Sequence, residues 1–182
     1  MKAAVHLFLF LGLASLLSCS NARVSKVEGN PDFKLSDYKT FAFYKLENSG
    51  DQPRTALYRS QVEALKTAIA RQLEAKGLRQ ADDQPGLLIN IGIAIAEKVQ
   101  TRPTNIITDP PAYIGQRRYT WRSQEVEVGR YRQGTVDVHL IDRQQNAMVW
   151  RGVVEDVLPN KAAKWQKTIE DSIKKLFERV PA

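Results

Sequence analysis

The sequence holds one cysteine, Cys19, in 182 residues. A lone thiol cannot close an intrachain disulfide, so no covalent staple holds the chain. Histidine is nearly as scarce. Of two, His6 lies in an N-terminal apolar run and only His139 stands beyond it. Structural zinc sites draw three or four ligands from cysteine and histidine, so this composition supplies no metal site of that kind. Acidic side chains are outnumbered, 20 against 27 lysines and arginines, for a net charge of +7. In a cytosolic chain that balance would raise nucleic acid as a partner. The first twenty residues remove that expectation.

Those residues read MKAAVHLFLFLGLASLLSCS. Lys2 makes a short positive start, and Ala3 to Leu17 is apolar except at His6, Gly12 and Ser15. The run suits a secretory signal and falls short of the about 20 apolar residues a membrane span needs. Leu16, Ser18 and Cys19 resemble the bacterial lipobox, Leu-x-(Ala/Gly/Ser)-Cys. In lipoproteins of that kind the cysteine sulfur takes a diacylglycerol and the chain is cut before it. A thiolate is the nucleophile this needs, which accounts for the single cysteine. The expected organisation is a signal peptide over 1–18, a small polar tether over 19–25 and one domain over 26–182. The membrane is then a partner through lipid on Cys19. Anionic partners outside the cytoplasm are lipid headgroups, cell-wall polymers and acidic protein faces, and no nucleic acid is expected. Ser20 is not the aspartate that retains some lipoproteins at the inner membrane. The location expected is the outer membrane, facing the periplasm.

Along the remaining chain, Val24 and Val27 open a first strand and Asn30-Pro31 marks a turn. Thr40 to Lys45, with Phe41 and Phe43 on one face, reads as a strand. Tyr58, Val62, Leu65, Ile69 and Leu73 form one apolar stripe at steps of three and four, predicting a helix that Pro53 opens and Gly77 stops. Ile89, Ile91, Ile93 and Ile95 alternate with Asn90, Gly92, Ala94 and Ala96, which is the period of a strand. Gln100 to Gln124 has no clear period and holds Pro103, Pro110 and Pro111, so it reads as a long loop. Val136, Val138 and Leu140 alternate with Thr135, Asp137 and His139, turn at Asp142 to Asn146, and return over Met148 to Val157. Asn160 is placed to cap a last helix carrying Trp165, Ile169, Ile173, Leu176, Phe177 and Val180. Strands without regular alternation with helices predict an α+β fold, a mainly antiparallel sheet with two amphipathic helices on one face.

Three groups carry candidate chemistry. Thr135, Asp137 and His139 share a strand face and invite a hydrolase reading. Same-face neighbours stand about 6.6 Å apart, whereas a nucleophile and its base need about 2.6–3.2 Å, so no catalytic residue is assigned. Tyr113, Tyr119, Trp121 and Tyr131 interleave with Arg117, Arg118, Arg122, Arg130 and Arg132. Arginine grips phosphate or carboxylate with two prongs, and aromatic rings stack on sugars. This makes Arg117, Arg118, Tyr119, Trp121, Arg122, Arg130, Tyr131 and Arg132 the candidate binding residues for an envelope protein or anionic envelope component. In Val149-Trp150-Arg151-Gly152, Trp150 is expected to fill core while Gly152 lets a helix approach.

The tract DFKLSDYKTFAFY, then GTVDVHLID, then VWRG and a closing amphipathic helix resemble a bacterial lipoprotein family known as domain of unknown function 4136. The most specific part is Gly134-Thr135, Asp142 and Val149 to Gly152. The resemblance implies an envelope lipoprotein with no established activity, no cofactor and no catalytic residues to carry over. The reading is a non-catalytic binding or accessory module, with a hydrolase on an envelope substrate as the alternative.

Overall fold

A computed structural model describes residues 21–44, 56–105, 107–109 and 122–182. The expected signal peptide, Cys19, Pro53 and the prolines at 110 and 111 lie outside them. Six strands form one sheet: β1 (Arg23–Gly29), β2 (Thr40–Phe43), β3 (Arg79–Gln80), β4 (Leu87–Pro103), β5 (Glu125–Asp142) and β6 (Ala147–Val157). Two helices accompany it, α1 (Ala56–Ala75) and α2 (Trp165–Phe177). The spatial order is β1-β6-β5-β4-β2-β3, antiparallel except for β2, which pairs parallel with β3 and β4. This is the α+β fold expected. β1 takes in the last three residues of the expected tether, since it begins at Arg23.

Alternation decides which face is core. Leu87, Ile89 and Ile91 of β4 are buried, and their partners across β5 are Asp142, Leu140 and Val138. β6 adds Trp150 opposite Leu140, Gly152 opposite Val138 and Val154 opposite Val136. Over this face lies α2, burying Ile173, Leu176 and Phe177. α1 packs along α2 and contributes Leu65, Ala68, Ile69 and Leu73 to the same core. An Arg71 to Glu170 ion pair at 3.0 Å links the exposed sides of the two helices. Asp156 at the end of β6 accepts from Ser172 of α2 at 2.8 Å.

The VWRG tract is structural. Trp150 is 1% exposed, and its indole lies across Gly152, where a Cβ would strike both the ring and Leu176. Gly77 ends α1 as expected, at φ +93°. Its N–H donates to the Glu74 carbonyl and that of Leu78 to the Leu73 carbonyl, the two bonds of a Schellman cap, with Leu73 and Leu78 both buried. The start of α2 departs from the sequence reading. Its cap is Lys164, reached through one 3-10 turn (Ala162–Lys164), and no side chain caps it; Asn160 stands well outside.

Asp142 closes the other end of the sheet. Its carboxylate accepts from the Tyr38 hydroxyl at 2.8 Å and from the Gln145 N–H at 2.8 Å. The Gln145 bond first, then that of Tyr38, outweigh burial and hold this carboxyl below the usual aspartate value. Burial and then the Asp142 bond push the Tyr38 phenol up to about 12.

Candidate functional site

The sheet has one feature that its core does not require. β4 and β5 stay paired from Leu87 with Asp142 out to Pro103 with Glu125. β6 stops pairing at Val157 opposite Gln133. Beyond that level a two-stranded arm, Ala96–Pro103 against Glu125–Gln133, projects past the helices. The sequence reading began its long loop at Gln100 and gave Glu125–Gln133 no element, so it missed the outer part of this arm. On one side its β5 residues Glu125, Glu127, Arg130 and Arg132 are exposed, on the other Val126, Gly129, Tyr131 and Gln133 are only half-buried, so no buried apolar face marks it as sheet.

The arm sorts the candidate binding residues. Arg130 faces Val99 and Arg132 faces Glu97, on the side that continues from Ile95 and the helices. Tyr131 faces Lys98 on the opposite side. Alternation along one strand therefore separates Tyr131 from its two arginine neighbours. Arg130 Nε donates to Glu127 at 2.7 Å and its Nη1 lies 3.5 Å from Glu97. Arg132 makes no ion pair among the described residues. Val128 is the extra residue of a bulge between Gln100 and Thr101, and it is 49% exposed. Arg122 is exposed near the far end of the arm. Arg117, Arg118, Tyr119 and Trp121 lie outside the described residues.

That far end is clasped. Arg102 makes two bonds of 2.6 Å to Asp109, which also accepts from the Thr108 hydroxyl at 2.8 Å and the Asn105 N–H at 3.1 Å. Arg102, more than any other partner, drives the Asp109 carboxyl far below its usual range. The Thr104 N–H donates to the Gln124 carbonyl at 2.7 Å, and the Gln124 N–H returns a bond to the Thr104 hydroxyl at 2.8 Å. Sequence reasoning missed this clasp. Its only signal was an Arg and an Asp seven positions apart, on either side of Pro103.

The hydrolase candidates sit on the sheet face away from the helices. Asp137 accepts from Arg151 Nη2 at 2.6 Å and Nε at 3.0 Å, and its Oδ1 lies 3.0 Å from His139 Nε2. Arg151 Nη1 reaches Glu28 at 3.5 Å, and Glu28 pairs with Lys26 at 2.8 Å. Burial raises the Asp137 carboxyl, but the bonds from Arg151, with His139 beside it, more than offset this and hold it below its usual value. A catalytic set needs a hydroxyl on the histidine. Here Asp137 stands between Thr135 and His139, which are four residues and about 13 Å apart on one strand. The cluster is a ladder of cross-strand ion pairs from β1 through β6 to β5. His139 faces Asn90, whose Oδ1 has no hydrogen-bond partner among the described residues.

A small apolar cleft, about 70 Å³, opens where the arm meets the helices, walled by Tyr58, Val62, Ile95, Leu158, Trp165 and Ile169. Among the described residues no three of His, Cys, Asp and Glu gather as metal ligands, and no helix is long and apolar enough to cross a membrane.

Comparison with known proteins gives the family. The model for the domain of unknown function DUF4136 matches residues 25–182, and the chain belongs to that family. No curated protein matches the chain. Among solved structures, a PDZ domain protein from Parabacteroides distasonis is similar at 14% identity and a TM-score of 0.51 over 88% of this chain. The chain spans 37% of that protein's length, and the likeness is one of fold. A PelC dodecamer from Paraburkholderia phytofirmans is similar at 14% identity and a TM-score of 0.49, over 88% of this chain and 99% of that one.

Proposed function

We propose that this member of the DUF4136 family is a non-catalytic, lipid-anchored module of the bacterial cell envelope. Cys19 carries the lipid, and the β4–β5 arm contacts an envelope component. The location this implies is the outer membrane, with the domain facing the periplasm. One observation carries the binding role: a strand pair runs well past the core that stabilises it. Exposing Val99 at 51% and Val128 at 49% on such an arm brings the fold no buried area. The hydrolase alternative is disfavoured because Asp137 is already engaged by Arg151 and His139 has no hydroxyl partner among the described residues.

Photo-crosslinking in intact cells tests this reading. A crosslinker at Lys98 or Gln100, followed by capture through the C-terminus, is expected to yield discrete adducts. The same crosslinker at Gln144, in the turn at the opposite end of the sheet, is expected to yield none. Adducts from Gln144 and none from the arm would contradict the proposal.

A further inference from the structure

The arm and the start of the chain leave the same end of the sheet. Arg23 pairs with Glu155, and Glu155 pairs with Thr135 on its other side. From that level β5 runs on to Glu125, ten residues away, or about 34 Å at about 3.4 Å per residue. Two steps of sheet twist, at about 20–25° each, still leave about 24 Å of that length along the direction of β1. The chain before β1 is held close. Ala22 is 3% exposed, and its carbonyl accepts from Lys175 Nζ at 2.5 Å. From Ala22 back to Cys19 is three residues, at most about 11 Å fully extended. The arm therefore outreaches the tether by more than a factor of two.

We infer that the helix-side face of the arm lies against an anionic lipid surface, the same bilayer that holds Cys19. The inference rests on the anchoring reading above. A bilayer holding Cys19 comes within about 11 Å of Ala22. A body so close cannot keep an arm of this length clear of the headgroups when upright. When the body tilts toward its helix side, the arm runs alongside them. The chemistry of that face suits the contact. Ile95 and Val99 are exposed at 37% and 51%, beside Arg130 and Arg132. At the arm's root, Lys161 and Lys164 are exposed, and Lys164 lines a groove together with Asn21. Aliphatic side chains flanked by long cationic ones fit the interface of a bilayer, stems in the apolar zone and charges among phosphates. Glu97 and Glu127 outweigh Arg130, and Glu125 shares this side at the tip opposite Pro103, so the electrostatic contact falls to Arg132 and the two lysines at the root, and the contact along the arm to Ile95 and Val99.

Single-cysteine labelling tests this in the full chain, because a lipidated Cys19 leaves no other free thiol. Fluorophores at Val99→Cys, Val128→Cys and Gln144→Cys are read in vesicles of phosphatidylethanolamine with a minority of phosphatidylglycerol. The mass of the N-terminal peptide is measured on the same samples. The arm labels are expected to be quenched by spin-labelled lipid and to lose most of their quenching by iodide. The Gln144 label is expected to show the reverse. Adding Arg132→Glu should restore iodide access to the arm labels several-fold. A lipidated protein whose arm labels are as open to iodide as Gln144 overturns this inference and leaves the anchoring reading standing. Arm labels already protected in detergent, in proportion to protein concentration, assign the arm to a second copy and overturn it too. An unmodified Cys19 overturns both together.

Discussion

Gly152→Ala is the sharpest test of how the core is assembled. The new Cβ would stand 2.7 Å from Leu176 Cδ1 and 2.8 Å from Trp150 Cζ2, and closer still to Trp150 Cη2. Neither neighbour can swing away, since Trp150 is 1% exposed and Leu176 is fully buried. Overpacking of this kind costs about 1–3 kcal/mol, and two immobile neighbours place the cost near the top of that range. Against it, alanine removes backbone freedom from the unfolded chain, worth about 0.4–1 kcal/mol. The net expectation is a loss of about 2 kcal/mol. For a domain of this size that lowers Tm by about 4–8 °C. Urea unfolding followed by tryptophan fluorescence should show the midpoint falling with little change in slope. Gly134→Ala is the internal control. There the added Cβ meets the half-buried Leu158 side chain, which has room to turn, so the loss should be clearly smaller. A Gly152→Ala protein as stable as the parent would refute the claim that the Trp150 ring needs this glycine beneath it.

Further expectations follow from other contacts. Gly77→Ala forces a side chain into the positive φ of the α1 cap and should cost about 1–2 kcal/mol by thermal unfolding. Tyr38→Phe removes the bond to Asp142, a loss of about 1 kcal/mol, and should delete the tyrosine that titrates near 12 in an ultraviolet alkaline titration. Because that phenol is raised above 10.0, its contribution is complete below 10.0 and is lost as pH rises through about 12. Arg151→Met leaves Asp137 without its guanidinium and should cost about 1 kcal/mol after discounting for partial exposure. The Asp137 carboxyl is depressed, so this stabilisation is present above 3.8 and fades as pH falls through the lower folded value. Stability curves of parent and variant should converge in acid.

The parts of the fold that were legible are those that bury one face. The α1 stripe, the isoleucines of β4 and the alternation from Thr135 to Leu140 all appear where periodicity put them, because a half-buried element must repeat at its own period. The Gly77 stop was legible because a Schellman cap favours glycine at that position. Elements without a buried face were not. β3 is two exposed residues beside β2. The run from Glu125 to Gln133 was given no element: its charges lie on one side and Val126, Gly129, Tyr131 and Gln133 on the other, but the bulge at Val128 breaks the period of two midway along its pairing with β4. The start of α2 was misplaced because a good capping residue, Asn160, precedes a 3-10 turn that absorbs the intervening chain. Of the candidate site, Arg130, Tyr131 and Arg132 were found by composition. Their division between two faces became visible only with the strand itself.

The most direct test of the whole account is the mass of the N-terminal peptide of the protein purified from its own membranes. The account predicts a chain that begins at Cys19 and bears a diacylglyceryl group on sulfur. A chain that still carries Met1, or a free Cys19 thiol recovered in a soluble fraction, would contradict it.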